Sequence, residues 1–140
     1  MKNICCILLI FSSNLLYAKE SSIDLFTLYK ELHADPELSY QEFKTSEKLA
    51  LILEDIGYEV KRNIGGNGVV ALLKNGSGKT VMLRADMDGL PVEEKTGASY
   101  ASTKKSINAE GKEVFTMHAC GHDVHMTVLI GAAEYLYENK

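Results

Sequence analysis

The run Met117-His118-Ala119-Cys120-Gly121-His122-Asp123-Val124-His125 holds three of the chain's four histidines and its one cysteine beyond Cys6. Histidine is not a preferred core residue, so core building does not explain such a density. Imidazole and thiolate are donors that zinc and similar ions favour. An amphipathic stretch follows directly, which predicts a strand-to-helix junction at the run. A helix N-terminus placed there lowers a cysteine pKa and favours the thiolate. Any fold of this chain must therefore present a polar turn at the mouth of a helix.

The rest of the chain alternates between helical and strand periods. Residues 23–33 read as a helix, with Ile23, Phe26, Leu28, Tyr29 and Leu32 as a broad apolar stripe. Asp35-Pro36 ends it, because the residue before proline avoids the helical region. Ser39 and Glu42 have the spacing of a capping box, which predicts a second helix over 40–56 with Ser39 as N-cap. Its expected face is Phe43, Ser46, Ala50, Leu53 and Ile56, flanked by Leu49 and Ile52, and Gly57 is its stop. Residues 58–64 and 69–73 read as strands joined by the Gly65-Gly66-Asn67-Gly68 turn. Residues 80–85 read as a third strand, apolar enough to be central in a sheet. Residues 93–116 are polar and loop-like, with a small hairpin turning at Asn108-Ala109-Glu110-Gly111. A last helix is predicted over 123–137, with Val124, Val128, Ala132 and Leu136 on one face. Helices before, between and after strands give an α/β layer class.

With 140 residues, 46% of them hydrophobic, the chain can build one modest core. A net charge of −4, with both signs interspersed, implies no general affinity for nucleic acid or anionic membrane. The N-terminus stands apart: a weakly basic start, an apolar run broken by Ser12, Ser13 and Asn14, then Ala18 before Lys19-Glu20. That order predicts a secretory signal peptide over 1–18, hence export and a mature chain of 19–140; the alternative is a buried first helix. The run is too short and broken for a comfortable membrane span. Cleavage would remove Cys5 and Cys6 and leave Cys120 without an internal disulfide partner. A metal-ligand role then competes with that of an inert buried cysteine, and its place between two histidines favours the ligand.

Two glycine-rich turns mimic phosphate loops. Gly65-Gly66-Asn67-Gly68 and Gly76-Ser77-Gly78-Lys79-Thr80 both lead into predicted strands rather than helices, so the phosphate cradle is absent. A second cluster, Arg84-Ala85-Asp86-Met87-Asp88-Gly89-Leu90-Pro91, lies where the third predicted strand ends. Ligand sites in open α/β sheets gather at such strand ends. Two carboxylates spaced i, i+2 there can face a metal and its supporting shell, although Asp in an ordinary turn is common.

Three motifs in order now carry a family resemblance: Leu32-His33-Ala34-Asp35-Pro36-Glu37-Leu38-Ser39, Leu83 to Pro91, and Met117 to Asp123. From about Ile23 onward the chain resembles the N-terminal part of the M20 metallopeptidases. More narrowly it is similar to the amidohydrolase branch with hippurate hydrolases, N-acyl-amino-acid amidohydrolases and indoleacetyl-amino-acid hydrolases. The resemblance implies the N-terminal portion of a zinc-peptidase-like catalytic domain, a mixed sheet flanked by helices, and incomplete. It implies metal-dependent cleavage of a small-molecule N-acyl amino acid, with two divalent ions (zinc, manganese or cobalt) in a complete site.

By match to the motifs, Cys120 and His122 would be metal ligands, and Asp88 the supporting catalytic aspartate. The role of Asp86, which stands where other M20 branches carry a ligand histidine, is left open. His33, His118 and His125 are expected to be hydrogen-bonded structural histidines, and Arg84 to pair with a carboxylate. The family's paired glutamates, two further ligand histidines and dimerisation domain have no counterpart after Cys120; Glu93-Glu94 precedes it. A homodimer is thus expected only of a complete chain. The expectation is a fragment of an enzyme; the alternative is an inactive relic, at most a weak metal binder. A closed zinc module of His118, Cys120, His122 and His125 is the remaining reading, disfavoured by crowding into one segment.

Overall fold

The computed structural model describes residues 22–140, so the predicted leader over 1–18 lies outside the described residues. The first helix, α1, spans Leu25–Ala34. Asp24 starts it, accepting hydrogen bonds from the Thr27 backbone N–H at 2.9 Å and from the Thr27 hydroxyl at 2.7 Å. Leu28 and Leu32 turn inward, whereas Phe26 stays exposed. The helix stops ahead of Pro36, as the sequence predicts.

The second helix, α2, spans Phe43–Ile56, so it begins later than the predicted Tyr40. The reason is local: Tyr40 has a φ of 65°, a left-handed conformation that no helix continues through. Ser39 is therefore not the cap. The carboxylate of Glu37 takes that role from outside, accepting from the N–H groups of Thr45 at 2.8 Å and Lys44 at 3.3 Å. The inward face is Thr45, Leu49, Ala50 and Leu53, while Phe43 is exposed rather than packed. Gly57 ends the helix with a φ of 113°, which glycine adopts without penalty.

Strands β1 (Glu59–Ile64) and β2 (Gly68–Leu72) pair antiparallel in the register Val60 opposite Ala71, with an irregularity between Lys61 and Ile64. Arg62 anchors β1 to α2 through Glu47 and Glu54. A smaller hairpin, β3 (Lys105–Ile107) with β4 (Glu113–Phe115), turns where the sequence places it.

The third predicted strand is the main departure. Residues 80–85 form no ladder, and Val81 and Met82 are 81% and 83% exposed. A strand exists only through its neighbour's hydrogen bonds, and an apolar run alone does not supply one. The sheet is instead present in pieces: two two-stranded sheets and isolated bridges that join Leu38 to Gly89 and Leu90 to Met117.

The third helix, α3, spans His122–Glu138 and packs on both α1 and α2. Its buried face is Met126, Ile130 and Ala133, flanked by Thr127 and Glu134. The predicted face of Val124, Val128 and Leu136 lies outward. Apolar residues surround this helix, so periodicity alone leaves its rotation ambiguous. Close contact settles it, because Gly131 leaves room for Leu25, whose Cδ1 would lie 2.8 Å from an added Cβ. Leu28, Leu32, Leu49, Leu53, Met126 and Ile130 form the core, and Ala85 and Met87 pack against it. Full burial of one such side chain stabilises by about 1.5–3 kcal/mol.

Candidate metal and amidase site

The core positions two polar segments against each other. One is 86–89, held after Met87 by the bridges at Gly89 and Leu90. Gly89 has to be glycine: an added Cβ would lie 2.9 Å from Pro36 Cβ and 3.1 Å from Thr116 Cγ2. Its N–H donates to the Glu37 carbonyl at 2.6 Å. The other is the turn into α3, where Gly121 has a φ of 77° and His122 opens the helix.

These segments meet at Asp88 and His122. The His122 Nδ1 lies 2.9 Å from the Asp88 carbonyl oxygen and 3.0 Å from its Oδ1. A carbonyl only accepts, so Nδ1 carries the proton, and Nε2 is the nitrogen left to bind an ion. Orientation of a histidine through its other nitrogen is the usual support of a metal ligand. Asp88 also accepts from the Ser39 hydroxyl at 2.5 Å. Burial works against the Asp88 charge, but Ser39, its own backbone N–H and His122 outweigh it and hold the carboxyl below the usual range.

Cys120 is a free thiol and exposed, two positions before His122. Of the three residues singled out from sequence, Asp88 and His122 are thus in direct contact, with Cys120 on the same turn. Two donors of these types suit a zinc-like ion, and the protonated Nδ1 of His122 fits a ligand bound through Nε2. Among the described residues, however, no group of three or more His, Cys, Asp or Glu is gathered to hold a metal. The donors fit part of a metal site rather than a closed one, which also removes the four-ligand zinc module.

The other histidines divide. His33 is buried and hydrogen-bonded as expected, with Nδ1 2.6 Å from Asp123 Oδ2 and Nε2 3.0 Å from Glu94 Oε1. His118 is buried with neither ring nitrogen paired, contrary to the expectation of a hydrogen-bonded histidine. Burial pushes its pKa down and keeps the ring neutral. His125 is exposed on the first turn of α3, its ring centroid 6.1 Å from that of His122. Arg84 pairs with Asp86, as the sequence predicts. Two surface grooves, one on α2 beside Phe43 and Leu51 and one beside Phe26 and Val128, are apolar and include none of Asp88, Cys120 or His122.

Sequence reasoning missed Ser39, Glu37 and Glu94. Ser39 reads as a helix cap because its spacing to Glu42 is right; only the left-handed Tyr40 frees it for Asp88. Glu94 lies in an aperiodic loop, and no spacing rule points it at His33.

The model of the peptidase family M20/M25/M40 matches residues 82–140, which include Asp88, Cys120 and His122. The chain is 46% identical over 107 residues to a hippurate hydrolase of Campylobacter jejuni, covering 76% of this chain and 26% of that one. It is 41% identical over 124 residues to thermostable carboxypeptidase 2 of Saccharolobus solfataricus, covering 87% of this chain and 29% of that one. Among solved structures it resembles the Bacillus subtilis YXEP protein, a dinuclear metal-binding peptidase of the M20 family. The TM-score there is 0.70 at 35% identity, over 82% of this chain and 30% of that one. The chain thus spans under a third of the length of these relatives. With the α/β architecture, the three ordered motifs and these likenesses agreeing, the chain belongs to the M20 peptidase and amidohydrolase family.

Proposed function

We propose that this chain carries part of the metal site of an amidohydrolase that cleaves N-acyl amino acids, hippurate-like amides among them. The observation that carries the reading is the commitment of His122 Nδ1 to Asp88, which leaves Nε2 free to bind an ion two positions along the chain from Cys120. Cys120 and His122 would hold a divalent ion of the zinc, manganese or cobalt kind. A bound ion of this kind lowers the pKa of its water and polarises the amide carbonyl. The chain's own residues orient the site: Asp88 fixes the His122 tautomer and Ser39 fixes Asp88. The hippurate hydrolase relative supports the substrate class, and the dinuclear neighbour supports two ions.

The test is Cys120→Ala and His122→Ala in the longest form of the protein that its source makes, assayed on hippurate with added zinc, manganese or cobalt. Each variant is expected to lose at least about 10-fold to 100-fold in metal affinity or turnover. Full activity of Cys120→Ala overturns the ligand assignment. A second reading, a weak metal binder without turnover, is favoured by the missing third donor among the described residues. Absence of turnover in the unsubstituted protein, with metal still bound, selects it. Export is proposed on the leader-like residues 1–18; a mature N-terminus at Lys19 supports it, and a protein retained in the cytoplasm with Met1 intact overturns it.

A further inference from the structure

The segment 33–39 touches both halves of the candidate site. At one end, His33 reaches Asp123, the residue after His122. At the other, Ser39 reaches Asp88, and Leu38 and Glu37 fix Gly89 through a bridge and a carbonyl. His33 also faces Glu94, so each ring nitrogen meets a carboxylate oxygen. A carboxylate accepts, so this geometry suits a protonated ring that donates from both nitrogens. The arrangement is closed to solvent: the side chains of His33, Glu94 and Asp123 are 9%, 0% and 2% exposed. Burial opposes the His33 charge, yet its hydrogen bonds to Glu94 and Asp123 outweigh that cost and raise the pKa. The other titratable groups against it are Tyr29 and Tyr100, whose rings pack on His33, and the neutral His118.

We propose that His33 is a positioning residue for the turn bearing Cys120 and His122, and that segment 33–39 is a clasp which sets that turn against Asp88. The proposal rests on the metal reading above. His33 touches no ligand itself; it acts through Asp123, whose Oδ1 accepts from the Val124 N–H and whose carbonyl accepts from the Thr127 hydroxyl in the first turns of α3. Ser39 acts on the opposite wall through Asp88. One short segment thereby fixes the spacing between a donor-bearing turn and the carboxylate that orients it. Glu94 holds the far nitrogen of His33, so the polar loop after Pro91 belongs to the same support.

The test uses cobalt(II) as the probe, in the longest form of the protein that its source makes. Affinity and the thiolate-to-cobalt charge-transfer band are measured for the wild type, His33→Leu and His33→Gln, with helicity and melting checked alongside. His33→Leu is expected to bind cobalt about 10-fold to 100-fold more weakly, with a shifted band. His33→Gln, which keeps one N–H donor, is expected to recover part of both. A merely structural His33 would lower the melting temperature while leaving the band and the affinity of the folded protein unchanged, and that result overturns the proposal. If His33→Leu does not fold, zinc is titrated into the wild type while the His33 ring nitrogens are followed by NMR. A His33 shift in step with zinc supports the proposal, and no shift overturns it. A wild type that binds neither metal overturns the metal reading and the clasp together; binding that is indifferent to His33 overturns the clasp alone.

Discussion

Residues 68–72 and 80–85 are both short apolar runs that follow a glycine-rich turn, yet only the first is a strand. Strand β2 has β1 beside it, and β1 in turn is fastened to α2 through Arg62. The second run has no ladder partner among the described residues, and its apolar side chains stand in solvent until Ala85 and Met87 reach the core. β propensity is thus a statement about neighbours. The site does not depend on that ladder: Asp88 is placed by the Gly89 and Leu90 bridges, downstream of the unpaired run.

The largest effect is expected in the core that both runs approach: Ile130→Ala should cost about 2–5 kcal/mol in urea denaturation. Val69→Ala, half-buried on β2, should cost about 1 kcal/mol, whereas Val81→Ala in the unpaired run should stay within about 0.5 kcal/mol. Equal costs for the two valines would mean that residues 80–85 are covered in the protein in solution.

The smallest and broadest effect is pH dependence, which separates the site from both runs. His33 has its pKa raised above the ordinary 6.5, so its contribution is complete below that value and fades as pH rises through the raised pKa. Burial opposes the charges of Asp88 and Glu94, but hydrogen bonds from Ser39 and His33 lead the effects that lower both pKa values. Their contributions hold above the ordinary 3.8 and 4.5 and are lost as pH falls through the lowered pKa values. Denaturation across pH should therefore show an acid edge and a separate decline above 6.5, with the upper decline absent in His33→Gln. A decline that persists in that variant would assign it to another group.

Much of this fold is legible in the sequence where a local rule acts alone. Pro36 and Gly57 stop their helices as expected, and the two hairpins turn at their glycines. The rules fail where two segments compete for the same group. Ser39 has the spacing of a cap but serves Asp88, and the capping passes to Glu37, which no local pattern marks. The rotation of α3 is set by Leu25 against Gly131, a contact between distant residues. The site follows the same division: Asp88, Cys120 and His122 stand in dense motifs, whereas the contact of His33 with Glu94 joins positions separated by 61 residues.

Glu37 has a consequence of its own. Its carbonyl fixes Gly89 while its carboxylate caps α2, so the start of that helix and the backbone beside Asp88 share one origin. A shift at either end is transmitted to the other without passing through the core. The chain contains no tryptophan, so a single indole introduced at exposed Phe43, the first residue of α2, would be the sole emitter of its kind. Its fluorescence would then register movement at Asp88 from a surface that carries none of the chemistry.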